Sequence, residues 1–184
     1  MGWLVFVKKA CSEALPSTFK QERNIMASSI TSPLSKIKAT IVIVQGSFHT
    51  PIPYKALGEH LRSSGHPTYH PNLPSCTNIE DPTFPSKCLI DDALAVRLEI
   101  TRLVEYENNL VLVAMHSYGG LIGSEAIPEE LTYAHRKARG LSGGVIHLYY
   151  FSAFILPVGQ SVLGAFGESP NNDIRVSIHI ISCQ

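Results

Sequence analysis

The chain has 184 residues, of which 45% are hydrophobic and 16% are charged, and this balance is typical of one globular domain and excludes a disordered chain. Its 15 basic and 15 acidic side chains cancel, so the composition gives no electrostatic footprint for nucleic acid or for an anionic membrane. The longest apolar runs fall short of the roughly 20 residues that a membrane helix needs.

The two ends of the chain differ in pattern from its middle. In "MGWLVFVKKA" the apolar stretch precedes the lysines, the reverse of a signal peptide, and Met26 opens a second plausible start. We therefore predict a flexible N-terminal extension over 1–37, a core over 38–165 and a divergent tail over 166–184.

The four cysteines are scattered without a C-x-x-C pair, which favours reduced thiols and a cytoplasmic location; they are Cys11, Cys76, Cys88 and Cys183.

Strand-like and helical patterns alternate from residue 39 onward. "ATIVIVQG" is a β-branched run ending in glycine, which is typical of a strand buried on both faces. "YKALGEHLRSSG" places Leu57 and Leu61 at helical spacing and ends at Gly65, a glycine suited to a helix stop. In chain order we predict a strand at 39–46, a helix at 54–65, a short strand at 68–70, a polar connection at 75–87, a helix at 91–109, a strand at 110–115, a helix at 119–127, an excursion at 128–140 and a strand at 143–154.

The helix predicted at 91–109 has the clearest periodicity. Asp91 and Asp92 open it, and we interpret them as partners of the helix dipole and cap in preference to an acid–base pair. Strands alternating with helices at this spacing imply a parallel sheet with right-handed crossovers. The apolar face of this helix comprises Val96, Ile100, Leu103 and Val104.

The stretch "NNLVLVAMHSYGG" runs from apolar residues directly into Ser117 and two glycines. A serine between a strand and a helix is typical of a nucleophile elbow, a strained turn that needs small residues two positions to either side. Gly119 meets this need, whereas Met115 stands where the usual glycine would be. A packed serine in an ordinary strand-to-helix turn is the structural alternative.

A second glycine-containing loop, "QGSFH", follows the first strand. Such a loop supplies one backbone N–H of an oxyanion hole, and the residue after the nucleophile supplies the other. The candidate donors are therefore the N–H of Tyr118 and the N–H of Ser47 or Phe48. A turn glycine or a weak phosphate loop is the alternative, and the absence of a following G-K-[ST] disfavours the phosphate loop.

Together, "IVIVQGSFHTP", "DDALAVRLEI", "VLVAMHSYGG", "GSEA" and "GGVIHLYYFSAFILPVGQS" resemble α/β-hydrolase-fold proteins of the AB hydrolase-1 type, which are common in fungi and similar to plant-type esterases and hydroxynitrile lyases. The resemblance covers about residues 38–165. It implies a partial α/β-hydrolase fold, a mostly parallel sheet with flanking helices, and a serine hydrolase that acts on small-molecule esters or thioesters, with a role in fungal secondary metabolism. It also implies Ser117 as nucleophile and a pocket at Gly46, His49, His116 and Gly119.

The same resemblance implies an acid and a histidine after the serine, in that order. Downstream of Ser117 the chain offers His135, His147, His179 and Asp173, and none suits the role. His116 points to the opposite face of its strand, and we assign His49 to the pocket. We therefore expect the acid, the base, the cap and the last strands to lie outside this chain, which leaves weak or no activity. A non-catalytic binding or regulatory protein, or completion by a separate chain, are the alternatives.

The remaining patterns give no cofactor or metal. His60, His66 and His70 match no metal-site spacing and read as surface histidines. No dinucleotide fingerprint is present, so we infer no cofactor. The strand at 143–154, which carries Tyr149 and Tyr150 in or beside the sheet, leaves an apolar edge unless the tail "IRVSIHIIS" covers it, so we expect self-association through this edge.

Overall fold

Four strands and five helices follow one another in residues 38–167, which are the residues described by this computed structural model. The predictions for 1–37 and for 168–184, including Asp173, His179 and the strand-like tail, lie outside the described residues. One-turn 3₁₀ segments occupy Ile52–Tyr54, Pro74–Cys76, Phe84–Ser86 and Glu129–Leu131. The main elements are β1 (Thr40–Val44), α1 (Lys55–Ser63), β2 (Thr68–Tyr69), α2 (Leu89–Thr101), β3 (Leu110–Ser117), α3 (Gly119–Ala126), α4 (Tyr133–Ala138), β4 (Gly144–Ala153) and α5 (Val162–Phe166).

The four strands form one parallel sheet in the order β2-β1-β3-β4. In the register of β1 with β3, Val44 lies opposite Met115, so the loop after β1 leaves the sheet beside the last residues of β3. Ser117 pairs with Ala153 of β4 on the other side. The fold class predicted from the sequence is confirmed, because this sheet and its helices form a partial α/β fold.

Buried apolar side chains cover both faces of the sheet, but the cluster on one face is larger than the cluster on the other. β1 is buried along its whole length, as predicted for a strand covered on both faces. On one face, strand residues such as Val113 pack with the predicted apolar face of α2 and the turn after it. On the other face, a smaller cluster forms around Ile43 and Ala114, with Leu61 of α1 packed against it. The larger core therefore lies between the sheet and the two helices α2 and α3.

Two helices differ from their predicted form. α2 begins at Leu89 and ends at Thr101, where a π-helical turn, Arg102–Tyr106, replaces its predicted continuation. Leu103 and Val104 in that turn are nevertheless fully buried, so the predicted apolar face is confirmed. In α1, Leu57 is 40% exposed although it has helical spacing with Leu61, and Gly58 is the buried residue.

The outer edge of β4 is covered at its beginning by the chain that precedes it. Thr132 forms an isolated parallel bridge with Val145. Further along, Ile146 and Tyr149 are exposed, and the described residues contain no strand that pairs with this edge. Self-association through β4 stays a prediction. No helix in the described part of the chain is both long and apolar enough to cross a membrane.

Candidate active site

Ser117 lies where β3 ends and α3 begins, at the carboxyl edge of the parallel sheet. Its φ is +52°, in the left-handed region that a non-glycine residue rarely adopts. Its carbonyl accepts a hydrogen bond of 3.0 Å from the N–H of Phe154, which ties the turn to the end of β4. Strain of this kind costs on the order of 1–3 kcal/mol and persists where the surrounding structure enforces it. The turn therefore has the strained geometry predicted for a nucleophile elbow.

Gly119 allows α3 to approach β1 closely. A Cβ atom at this position would lie 2.4 Å from the carbonyl oxygen of Val44 and 2.7 Å from that of Gln45. Both are backbone atoms of the sheet edge, so a side chain here has no room. The requirement for a small residue two positions after Ser117 is therefore a packing requirement.

Met115, which stands where such elbows usually have glycine, is fully buried. Its Sδ lies 2.2 Å from the position that a Cβ of Gly123 would occupy. The absence of a side chain at Gly123, one turn along α3 from Gly119, provides the space for the methionine. The departure from the usual motif is thus compensated within α3.

The loop after β1 brings Gly46 against the serine. A Cβ at Gly46 would lie 3.1 Å from Ser117 Cβ, 3.2 Å from His116 Nδ1 and 3.3 Å from His49 Nδ1. These three side chains therefore converge on one glycine, and the structure brings Gly46, His49 and His116 of the predicted pocket together beside Ser117. A larger residue at position 46 would fill the space between them.

Hydrogen bonds fix the orientation of this loop. Tyr54 Oη accepts the N–H of Gly46 at 3.1 Å and lies 2.7 Å from His116 Nδ1. The phenol oxygen accepts from Gly46, and the direction of its hydrogen bond with His116 depends on which ring nitrogen carries the proton. Burial, and then the neighbouring His49, lower the pKa of His116, which favours the neutral ring.

The two alternative loop donors differ in environment. Phe48 has a φ of +59° and a side chain that is 99% exposed, so its conformation is not explained by core packing. Ser47 is half-buried. The side-chain amide of Gln45, a fully buried residue, donates to the carbonyl of His49 and closes the loop across these two residues. Both N–H groups remain candidates for the oxyanion hole.

Tyr118, the residue after the serine, is anchored by its side chain. Its hydroxyl donates to Asp92 Oδ2 at 3.2 Å, and Asp92 also accepts from the N–H and the hydroxyl of Ser75 at 2.9 Å and 2.6 Å. Burial, and then the charge of Asp92 and the hydrogen bond to it, raise the pKa of the Tyr118 phenol. The sequence reasoning missed this cluster.

The two aspartates at the start of α2 have different roles. Asp91 accepts the N–H of Cys88 at 2.9 Å, as expected of a capping residue. Asp92 lies in the same first turn but is fully buried, so the interpretation as a cap and dipole partner does not describe its role completely. The signal was its spacing, because Asp92 precedes the buried Val96 by four residues and so falls on the apolar face of the helix.

The histidines bond to groups other than the serine. In residues 38–167 the histidine rings that make hydrogen bonds or ion pairs are those of His66, His116 and His135. Their partners are the carbonyl of Ala39, the hydroxyl of Tyr54 and, at 3.7 Å, the carboxylate of Glu129. His147 lies within β4, as predicted. Thus no described histidine makes a hydrogen bond with Ser117.

The three histidines considered as a metal cluster have different environments. His60 is exposed and His66 bonds to the backbone, but the surface interpretation is wrong for His70, which is partly buried with its ring packed edge-on against Tyr54 at 5.1 Å. Within the described range, no group of three or more His, Cys, Asp or Glu side chains is arranged to hold a metal ion.

No protein-family model matches the chain. It is similar to alpha/beta hydrolase nvfD of Aspergillus novofumigatus, with 29% identity over 136 residues that cover 70% of this chain and 48% of the relative. It is also similar to probable hydrolase R7 of a Phoma species, with 30% identity over 130 residues that cover 71% of this chain and 48% of the relative. The chain spans about half the length of the curated relatives it matches.

These fungal relatives agree with the parallel sheet and its flanking helices. The resemblance that the sequence motifs carried is thereby confirmed at the level of the family. The chain is thus a relative of fungal α/β hydrolases, which it matches over about 70% of its own length and about half of theirs.

Proposed function

We propose that the chain carries the nucleophile and oxyanion loop of a serine hydrolase that cleaves small-molecule carboxylic esters or thioesters. The observation that carries this proposal is the left-handed φ of Ser117 at the junction of β3 and α3. A nucleophile elbow requires this conformation to present the serine oxygen.

In the proposed reaction, Ser117 Oγ attacks the substrate carbonyl and its proton passes to a base. The oxyanion accepts hydrogen bonds from the N–H of Tyr118 and from that of Ser47 or Phe48. Collapse of the tetrahedral intermediate breaks the bond to the alcohol or thiol, which leaves with a proton. Water then hydrolyses the acyl-serine to release the acid.

The proposal places the acid and the base in the part of the relatives' length that this chain does not span. Removing the histidine of a complete triad costs about 10⁶-fold in turnover, so this chain alone should turn over slowly at best. The predicted role in fungal secondary metabolism rests on the sequence resemblance, and the relatives' names add only that they are hydrolases.

A non-catalytic binding or regulatory role is the second candidate. It is favoured by the hydrogen bonds of the described histidine rings, which go to backbone, tyrosine and glutamate groups. A protein of this kind would keep the pocket around Gly46 and bind an ester without forming an acyl-serine.

Incubation of the 184-residue chain with p-nitrophenyl acetate separates the two candidates. The hydrolase proposal predicts an acetyl group on Ser117, found by peptide mass. The adduct should disappear in Ser117→Ala and persist in Ser124→Ala, a matched serine of α3 that bonds to Gly120. Saturable binding of the ester without an adduct would favour the binding role. An adduct that persists in Ser117→Ala would contradict the assignment of the nucleophile.

A further inference from the structure

We propose that Asp92 is a positioning residue for this site: it holds the side chain of Tyr118 so that the Tyr118 N–H faces the developing oxyanion. This inference rests on the proposed function, because it assumes that this N–H is an oxyanion donor. It adds a residue of α2, remote from the two loops, to the parts that Ser117 needs.

Asp92 is fully buried and accepts three hydrogen bonds. Two come from Ser75, in the 3₁₀ turn that follows β2, and the third comes from the Tyr118 hydroxyl. One carboxylate thus joins α2, the 3₁₀ turn and the residue next to the candidate nucleophile. Since the phenol and the N–H belong to one residue, fixing the phenol limits how the N–H can turn.

Burying the Asp92 carboxylate costs free energy that a contribution to fold stability alone does not explain. Among the described residues, no Lys, Arg or His side chain forms an ion pair with Asp92. A buried carboxylate without an opposite charge relies on its hydrogen-bond donors, and an apolar group of similar volume is often as stable or more so. If Asp92 served only to anchor the 3₁₀ turn, its two hydrogen bonds with Ser75 would be sufficient. The third hydrogen bond, from the Tyr118 hydroxyl, needs another explanation.

α2 holds α3 at both of its ends. At the beginning of α3, Asp92 binds Tyr118. At its end, the Arg97 guanidinium donates to the carbonyls of Ala126 and Glu125 at 3.0 Å and 2.8 Å. Arg97 therefore provides a matched control, because its removal loosens the same helix at the end away from Ser117.

The test compares the rate at which a fluorophosphonate probe labels Ser117 in the full 184-residue chain. Asp92→Asn keeps the shape but replaces one acceptor oxygen with a donor, and Tyr118→Phe removes the phenol while keeping the ring and the N–H. A misplacement near 1 Å costs about 10²-fold, so we expect each variant to label on the order of 10- to 100-fold more slowly. Arg97→Gln should label close to the wild-type rate.

The double variant distinguishes positioning from general loosening. If Asp92 acts through the phenol, Asp92→Asn with Tyr118→Phe should label no more slowly than either single variant. Independent losses would multiply instead. Thermal unfolding of each variant shows whether it is folded, and Tyr118→Phe, which adds no polar group, keeps the test valid if Asp92→Asn fails to fold.

A thiol readout separates failure of this inference from failure of the proposed function. In Ser117→Cys, the thiolate would face the N-terminal N–H groups of α3, which lower a cysteine pKa. We expect Tyr118→Phe in this background, which breaks the bond to Asp92 without changing the charge near the thiolate, to shift the pH dependence of alkylation at residue 117 upward, whether or not the wild-type serine reacts. If the wild type labels but neither variant changes the rate or the pH dependence, the positioning role is wrong and the hydrolase proposal stands. If the wild type does not label but the thiol shift appears, the bond to Asp92 does position the turn at residue 117, whereas the hydrolase proposal, and with it the oxyanion role of the Tyr118 N–H, fails.

Discussion

Adding one methyl group at Gly119 should displace the helix that carries the candidate elbow. The Cβ of Gly119→Ala would lie 2.4 Å from the Val44 carbonyl oxygen, and contacts under 3.0 Å are essentially never seen. Because the obstacle is backbone of a buried strand, α3 must withdraw by at least about 0.6 Å. Overpacking of this kind costs about 1–3 kcal/mol. A shift of this size beside Ser117 should also slow its reaction roughly tenfold or more.

Urea unfolding and fluorophosphonate labelling measure the two effects separately. Gly58→Ala in α1 is the matched control, because its Cβ would make an ordinary contact of 3.4 Å with the Arg62 guanidinium. A helical glycine changed to alanine where there is room should gain up to about 1 kcal/mol, with no change in labelling. If Gly119→Ala unfolds and labels like the wild type, α3 does not rest on β1 as described, and the reasoning about the elbow is refuted.

Three further predictions concern the core and the pH dependence. Gly123→Ala and Met115→Ala should each destabilise the chain, by about 1–3 and about 2–5 kcal/mol respectively. Their double variant should lose less stability than the sum of the two losses, because the added methyl group fills space vacated by the methionine. Urea unfolding of the wild type, the two single variants and the double variant measures this coupling. Burial lowers the pKa of His70 from 6.5 to about 4, so the unfolded chain takes up the proton first and the free energy of unfolding falls as the pH drops through that window. His70→Gln should reduce this fall, measured by unfolding at about pH 7 and about pH 5; an unchanged slope would contradict it. Arg136→Met should cost about 2–3 kcal/mol, because the buried guanidinium bonds to two backbone carbonyls, whereas the exposed Arg139→Met should be nearly neutral in the same measurement.

Periodicity predicted the parts of the fold that depend on repeated burial. β1 reads as an uninterrupted apolar run and is buried throughout, and the stripe from Val96 to Val104 forms the core face of α2 and its following turn. Periodicity did not predict the change to a π-helical turn after Thr101, because the stripe continues through it. Leu57 had helical spacing in α1 but is 40% exposed, because spacing alone does not specify how far a helix face is covered.

The candidate site was predicted in pieces and not as a geometry. Ser117 and Gly119 belong to one local pattern, so the sequence could indicate them together. The approach of His116 to Gly46 depends on the register of β1 with β3, which no local pattern specifies. The bond from Tyr118 to Asp92 joins residues that are distant in sequence, and an aspartate on an apolar helix face was its only sign.

Fluorophosphonate labelling of the purified 184-residue chain, read by intact mass beside Ser117→Ala, tests the central claim most directly. The probe reports an activated serine without a choice of substrate. We expect slow labelling with one adduct per wild-type chain and none on Ser117→Ala. An adduct of equal yield on both chains would contradict the claim that Ser117 is the nucleophile, and a folded wild-type chain that takes up no adduct would contradict the expected activation of Ser117 within these 184 residues.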